Sequence, residues 1–282
     1  NSIWFGRLDF MARCLNSKLG SINNIDRTRA LFIILFIINA MLTLLFAFCL
    51  FLNKGDVSSM IINPNVVTLS NEELAAIKAA EPATIGHFRN FGFNNAPLFI
   101  SLPGKRFTGR AVTVKLASND STLLHKVTEM VGPGDVLVID RAGDQQYAAL
   151  GGVVSWALHV SGVEGVIVDG AATDIEEIRE MGLVVLYRRL SAITTRLFGL
   201  DGEINTTVSC CGVTVNPGDI IVADENGFVA LPAGEAAAVC KKAIEIQNAE
   251  PGKKDRIAKG EHMADVTRAG TLIKEYFEKN AK

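Results

Sequence analysis

The chain has 282 residues, with 28 Lys/Arg against 30 Asp/Glu and a formal net charge of −2 at pH 7. Six of the basic and three of the acidic residues fall within positions 1–59, which leaves 22 basic and 27 acidic residues beyond them, a net of −5. That acidic body without a basic stripe argues against direct nucleic-acid binding, and the length allows one domain of about 200 residues plus an appendage.

Residues 1–29 form a basic segment carrying Arg7, Arg13, Lys18, Arg27 and Arg29. Ala30–Leu52 is an uncharged apolar run in which Asn39 and Thr43 are the clearly polar residues. About 20 such residues span a bilayer, and no small-residue cleavage site follows, so the run predicts a single transmembrane helix or uncleaved anchor. The excess of Lys/Arg before it places the N-terminus in the cytoplasm. A second reading stays open: Met60 opens a stretch that runs straight into the globular part, and a start there gives a cytoplasmic protein. Residues 53–68 read as a linker.

A globular domain is expected over residues 69–250. Ser70 followed three residues later by Glu73 is a capping-box signature for a helix start. Pro82–Gly92 predicts a second short helix, Gly109–Ala117 a β-branched strand, and Thr122–Met130 another helix. Pro133-Gly134-Asp135 through Asp140 is echoed by Pro217-Gly218-Asp219 through Asp224. Each reads as a Pro-Gly turn launching a buried strand. Tyr147–Ser161 reads as a small-residue helix able to lie close on a sheet. Leu183–Tyr187 predicts a strand, and Thr206–Leu231 several short β runs with a hairpin turn at Asp224–Gly227. Ala233–Gln247 predicts a final amphipathic helix, and residues 251–282 a charged peripheral tail. Helices mixed with parallel-type strands imply an α/β sandwich.

The five cysteines (Cys14, Cys49, Cys210, Cys211 and Cys240) are odd in number and lack metal-type spacing, so buried free thiols are expected. Cys210 and Cys211, adjacent in a strand-like run, should face opposite sides. His87, His125, His159 and His262 show no ligand spacing, and no Walker loop, zinc pattern, dinucleotide fingerprint or Gly-x-Ser-x-Gly elbow occurs.

The most informative stretch is Gly165–Ile178. A β-branched run ends in Asp169-Gly170, a small-residue loop follows, and acidic residues open a helix. Active sites of α/β proteins favour such junctions, where a rigid strand aims a loop beside a helix N-terminus. Asp174 and Glu177 are three apart and share a helix face. Two readings stand side by side: a carboxylate pair holding a divalent cation, or Asp174 as N-cap with Glu177 at N3, a capping box. Gly151 and Gly152 permit close backbone approach to an anion, or simple helix–sheet packing. Asp144 and the Asp224-Glu225 pair could join the site from the same or a neighbouring subunit, or serve ordinary turn chemistry.

The spacing Gly152-x20-Thr173-Asp174-x2-Glu177, inside Gly162-Val-Glu-Gly165 through Asp169-Gly170, resembles the motif of the RraA-like family. That family includes the regulator of ribonuclease activity A and metal-dependent 4-hydroxy-4-methyl-2-oxoglutarate aldolases. The resemblance covers roughly Leu69–Pro232 and implies an α/β/β swivelling sandwich, normally a homotrimer with inter-subunit sites. It implies Mg²⁺ or Mn²⁺ on Asp174, with Glu177 acting through bound water. It further implies that the amides of Gly151, Gly152, Val153 and Val154 hold the carboxylate of a small α-keto acid. The expected activity is lyase chemistry: retro-aldol cleavage to pyruvate, oxaloacetate decarboxylation, or both. The alternative is a non-catalytic trimer that regulates a partner such as a ribonuclease. Two positions depart from the aldolases. Thr173 stands where they carry a substrate-clamping Arg, and Gly152 where an acidic residue is frequent. Arg141 and Lys115 are the cations considered as replacements for the clamp.

Overall fold

A computed structural model describes residues 36–44 and 60–281. The chain divides into two compact units, Asn1–Val57 and Ser58–Lys282. In the first, residues 36–44 are helical, with Thr43 Oγ1 donating to Asn39 O at 2.7 Å. Most of the expected membrane span, Ala30–Leu52, lies outside the described residues. Among the described residues no helix is long and apolar enough to cross a membrane.

The second unit is built on a mixed sheet. Four parallel strands form its centre, in the order β3 (Phe107–Leu116), β4 (Asp135–Asp140), β6 (Gly165–Ala172) and β7 (Val185–Leu190). Their near-continuous Val, Ile and Leu content follows from burial on both faces. Beyond β7 lies β2 (Phe99–Ile100), antiparallel to it. The free edge of β3 is divided between two antiparallel partners. Its C-terminal half pairs with β8 (Gly202–Ile204) and its N-terminal half with β11 (Ile220–Asp224). Outside β8 runs β1 (Met60–Ile62), so part of the expected linker is sheet. Outside β11 lies β12 (Gly227–Leu231), completing the expected hairpin with Asp224 opposite Gly227.

Three apolar clusters fill the layers. On one sheet face pack α3 (Thr122–Val127), α4 (Gly152–Ser161) and α5 (Ile175–Glu180), burying Leu124, Leu158 and Ile178 against Val114, Ile139 and Val168. The opposite face is covered by the two-stranded β9 (Val208–Cys210) and β10 (Val213–Val215), with Phe107, Val138, Ile167 and Phe228 between. The third cluster joins α1 (Asn71–Ile77), α2 (Pro82–Ile85) and α6 (Ala233–Ala258) to β11 and β12. This arrangement agrees with the α/β layering expected from sequence.

The capping box at α1 forms as predicted: Glu73 N–H donates to Ser70 Oγ at 3.2 Å and Ser70 N–H to Glu73 Oε2 at 2.7 Å. The echoed turns also share a structure. Gly134 and Gly218 have φ of +85° and +83°. In each, the aspartate that follows accepts the N–H three residues back, Gly132 to Asp135 at 3.1 Å and Asn216 to Asp219 at 2.8 Å. The strands they launch, β4 and β11, both pair with β3 around Arg110.

Other expectations need correction. The Tyr147–Ser161 helix begins only at Gly152, because Ala148–Leu150 is a short strand, β5, beside β6. Alanine and leucine are strong helix formers, but here a buried sheet position overrides propensity. The Pro82 helix ends at Ile85 instead of Gly92. Helix α6 continues through Pro251 to Ala258, although only Ala236, Cys240 and Ala243 of it are buried. The charged tail then adds α7 (Met263–Val266) and α8 (Ala269–Asn280), the latter exposing Leu272, Ile273, Tyr276 and Phe277. Cys210, Cys211 and Cys240 are buried free thiols as expected, but the adjacent pair does not straddle the sheet. Cys211 has φ of +51°, which turns the chain at the end of β9 and leaves both thiols in one core.

Candidate functional site

Asp174 lies two residues beyond the end of β6, at the carboxyl ends of the parallel strands, where open α/β sheets place their ligands. Thr173 N–H donates to Leu150 O at 2.9 Å, lashing the end of β6 to β5 and bringing Gly151 alongside. Asp174 adopts φ +53° and ψ 39°, a left-handed conformation that asparagine and aspartate enter more readily than other non-glycine residues. That backbone turns its side chain away from its own helix.

The expected capping box on α5 is therefore not made. Asp174 occupies the N-cap position but accepts no N–H from α5 through its side chain. Its Oδ2 instead accepts from Gly152 N–H at 2.9 Å, and its Oδ1 receives the Thr173 hydroxyl at 3.2 Å. The carboxylate thus caps the neighbouring helix α4, ten residues long, across a sequence separation of 22. A carboxylate there satisfies one of the orphan N–H groups and meets the positive end of the helix dipole.

Both glycines lie close beneath side chains of the Thr173–Glu177 segment. A Cβ at Gly151 would sit 2.9 Å from Asp174 Oδ2 and 3.0 Å from Thr173 Cγ2. One at Gly152 would collide with the carboxylate of Glu177. Glu177 thus lies over the start of α4 beside Asp174, and the expected pair does converge. Together with Ile175, Glu176 and Glu180 they line an open depression of about 480 Å³, with no basic residue in its lining. Val153 is 83 % exposed, while Val154 is buried in the helix-side core, so only its backbone remains for a ligand. Val153, Trp156 and Val160 form an exposed apolar stripe along α4.

The other candidates are elsewhere employed. Asp144 Oδ1 accepts the N–H groups of Gln146 and Tyr147 at 2.6 and 3.1 Å, as turn chemistry requires. Asp224 accepts Asn226 N–H at 2.8 Å, and its hairpin adjoins Phe107 at the amino end of β3, the far end of the sheet from Asp174. The Asp224-Glu225 pair therefore does not join Asp174 within one protomer. Arg141 is fully buried; its Nη2 donates to Ser118 O at 2.6 Å and Asp144 Oδ2 at 3.3 Å. Its Nε and Nη1 have no partner among the described residues, and burial pulls its pKa down against the pull of Asp144 and Asp140. Neither Arg141 nor Lys115 lines the acidic depression.

Sequence reasoning missed Glu180, whose position one turn beyond Glu176 is visible in the helix period. It also missed Asp120, which accepts Thr122 N–H and Oγ1 and the N–H groups of Phe198 and Leu200 at 2.6 to 3.1 Å. Those contacts pin the loop before β8, and no local signal announces a bond across 80 residues.

Over 136 residues the chain is 36% identical to the 4-hydroxy-4-methyl-2-oxoglutarate aldolase of Thermus thermophilus, covering 48% of this chain and 82% of that one. An uncharacterised protein of Methanocaldococcus jannaschii is 35% identical over 160 residues, 56% of this chain and 76% of that protein. Among solved structures, Streptomyces coelicolor RraAS2, described as an unusual member of the RNase ES inhibitor RraA family, superposes with a TM-score of 0.59. It is 24% identical and covers 66% of this chain and 97% of its own, a likeness of fold. The family model for RraA-like proteins, described as Aldolase/RraA, matches residues 74–230, and the chain belongs to that family.

Proposed function

We propose that the protein is a divalent-metal-dependent lyase acting on small α-keto acids, by retro-aldol cleavage of 4-hydroxy-4-methyl-2-oxoglutarate-like substrates, oxaloacetate decarboxylation, or both. The observation that carries this reading is the seating of Asp174 and Glu177 together over the N-terminus of α4. The donor set fits the ion: four carboxylates line the depression without a cation, and hard oxygen donors suit Mg²⁺ or Mn²⁺. Asp174 would hold it, with Glu177 ordering its water. When bound, the metal supplies Lewis acidity toward the keto oxygen.

The chain's own groups supply the rest. The first N–H groups of α4 have no partner within the helix. Gly152 N–H is engaged by Asp174, and those of Val153 and Val154 remain to bind and orient a substrate carboxylate. Thr173 Oγ1, held at Asp174 Oδ1, offers one neutral hydrogen bond where the aldolases place a guanidinium. The apolar stripe of Val153, Trp156 and Val160 adjoins this loop, and its burial against a second copy would produce the homotrimer and close the site from outside. The neutral Thr173 favours a second reading, a non-catalytic trimer that regulates a partner protein such as a ribonuclease.

The deciding assay incubates the purified chain with Mn²⁺ or Mg²⁺ and follows pyruvate release from 4-hydroxy-4-methyl-2-oxoglutarate and from oxaloacetate. Release above the metal-only rate supports the enzyme. A rate equal to metal alone on both substrates transfers the case to the regulator.

A further inference from the structure

On the opposite face of the sheet from α4, a second group of ligands converges. Asp169, Cys210 and Cys211 each present one ligand atom within 4.8 Å of the others. Their closeness is built by the backbone. The positive φ of Cys211 reverses the alternation that would send neighbouring side chains apart, so both thiols enter the core beneath β9. Cys210 and Cys211 are 0% and 1% exposed.

The surroundings are unusually rich in negative charge for an interior. Asp169 Oδ1 accepts from Arg188 Nη1 at 3.0 Å and its Oδ2 from Cys211 N–H at 2.7 Å. Asp140, its neighbour in register on β4, accepts Ala142 N–H and Ser209 N–H at 2.7 and 3.2 Å. A carboxylate has about four lone-pair sites, so both aspartates keep acceptor capacity. Arg188 is the one cation bonded to either of them among the described residues. The hydrogen bond with Cys211, burial, and the charges of Asp169 and Asp140 hold the Cys210 thiol well above its usual range.

We propose that Cys210 Sγ, Cys211 Sγ and the Asp169 carboxylate form a binding site for a soft divalent cation of the Zn²⁺ or Cd²⁺ type, separate from the hard-metal site at Asp174. Two sulfurs and one oxygen suit zinc, whose structural and catalytic sites mix thiolate with nitrogen or carboxylate ligands, and water can take the fourth position. At the three ligands two thiolates and Asp169 carry three negative charges, which Arg188 and a dication offset, and Asp140 adds a further negative charge beside them that favours a cation. Binding breaks two S–H bonds and forms two S–metal bonds; both protons leave to solvent, and nothing is oxidised or reduced. Cations of the Mg²⁺ type prefer an all-oxygen shell and do not compete here.

The test titrates the full, metal-stripped chain with Cd²⁺, reading the ultraviolet thiolate-to-cadmium charge-transfer band and proton release in weak buffer. One cadmium and two protons per chain are expected, with the band unaffected by excess Mg²⁺. Cys211→Gly is the main variant, because glycine accepts the positive φ and preserves the turn. It should weaken Cd²⁺ binding by at least about 100-fold, given that even outer partners of metal ligands are worth 10–100-fold. Asp169→Asn provides a second variant with both thiols retained and should lower affinity as well. Absence of the band at saturating Cd²⁺ in the folded wild-type chain overturns the proposal. So does a band that Mg²⁺ displaces, or one that survives unchanged in folded Cys211→Gly.

Discussion

Asp174 Oδ2 accepts the Gly152 N–H at 2.9 Å, so the motif's acidic residue caps the helix that begins with the motif's glycine. Two parts of the signature 22 residues apart are thereby in direct contact. A carboxylate in this position has two employments, helix cap and metal ligand, and substitutions separate them.

Asp174→Ala should abolish Mn²⁺ binding measured by calorimetry and cost about 1 kcal/mol of stability from the lost cap. Asp174→Asn keeps an acceptor for Gly152 N–H and should restore most of the stability without restoring the metal. Mn²⁺ affinity equal to wild type in folded Asp174→Asn would remove the ligand assignment.

Gly152→Ala tests the packing of Glu177 on α4. An alanine helps a helix by up to about 1 kcal/mol relative to glycine, but its Cβ meets the Glu177 carboxylate. The variant should fold with reduced Mn²⁺ affinity as Glu177 is pushed aside. In a Glu177→Ala background the same change should be stabilising, so a double-mutant cycle by urea denaturation should give a coupling of about 0.5 kcal/mol or more. Additive effects would place Glu177 elsewhere in solution.

Thr173→Arg should raise lyase activity on 4-hydroxy-4-methyl-2-oxoglutarate. A guanidinium restores charge where the keto oxygen gains electrons, and donors so placed are worth about 2.7–4 kcal/mol. A tenfold rise needs only about 1.4 kcal/mol. Background activity in the folded, metal-loaded variant would mean that the missing Arg is not the sole departure, and would favour the regulatory reading.

Asp120 predicts an acid limb. Burial pushes its carboxyl up, but hydrogen bonds from the Thr122 hydroxyl and the Leu200, Thr122 and Phe198 N–H groups prevail and bring it from 3.8 down to about 2. A lowered folded pKa contributes stability that is complete above pH 3.8 and is lost as pH falls through about 2. Asp120→Asn should lower Tm near neutrality and flatten the change of Tm over that acid window. An unchanged slope would show that Asp120 does not carry the limb.

How much of this was legible in the chain depended on distance along it. The Ser70–Glu73 box and the two Pro-Gly-Asp turns are written within four residues, and both are realised. The junction at Asp174 was legible, because strand, loop and helix follow one another there within a few residues. Asp174's turn toward α4 was not legible, since a left-handed φ at a non-glycine residue is imposed by the fold around it. The same cause hid the meeting of Cys210 with Cys211. Ala148–Leu150 misled through propensity, because its partner β6 lies more than a dozen residues further along the chain.

Strand β3 has one more consequence. It runs for ten residues, bonded along one edge to β4 and along the other to β8 and β11 in turn. Its amides can open to solvent only when segments from both halves of the domain separate together. In a native-state deuterium-exchange experiment they should be the slowest of the chain, reporting global unfolding, while those of the exposed α8 exchange through local fraying.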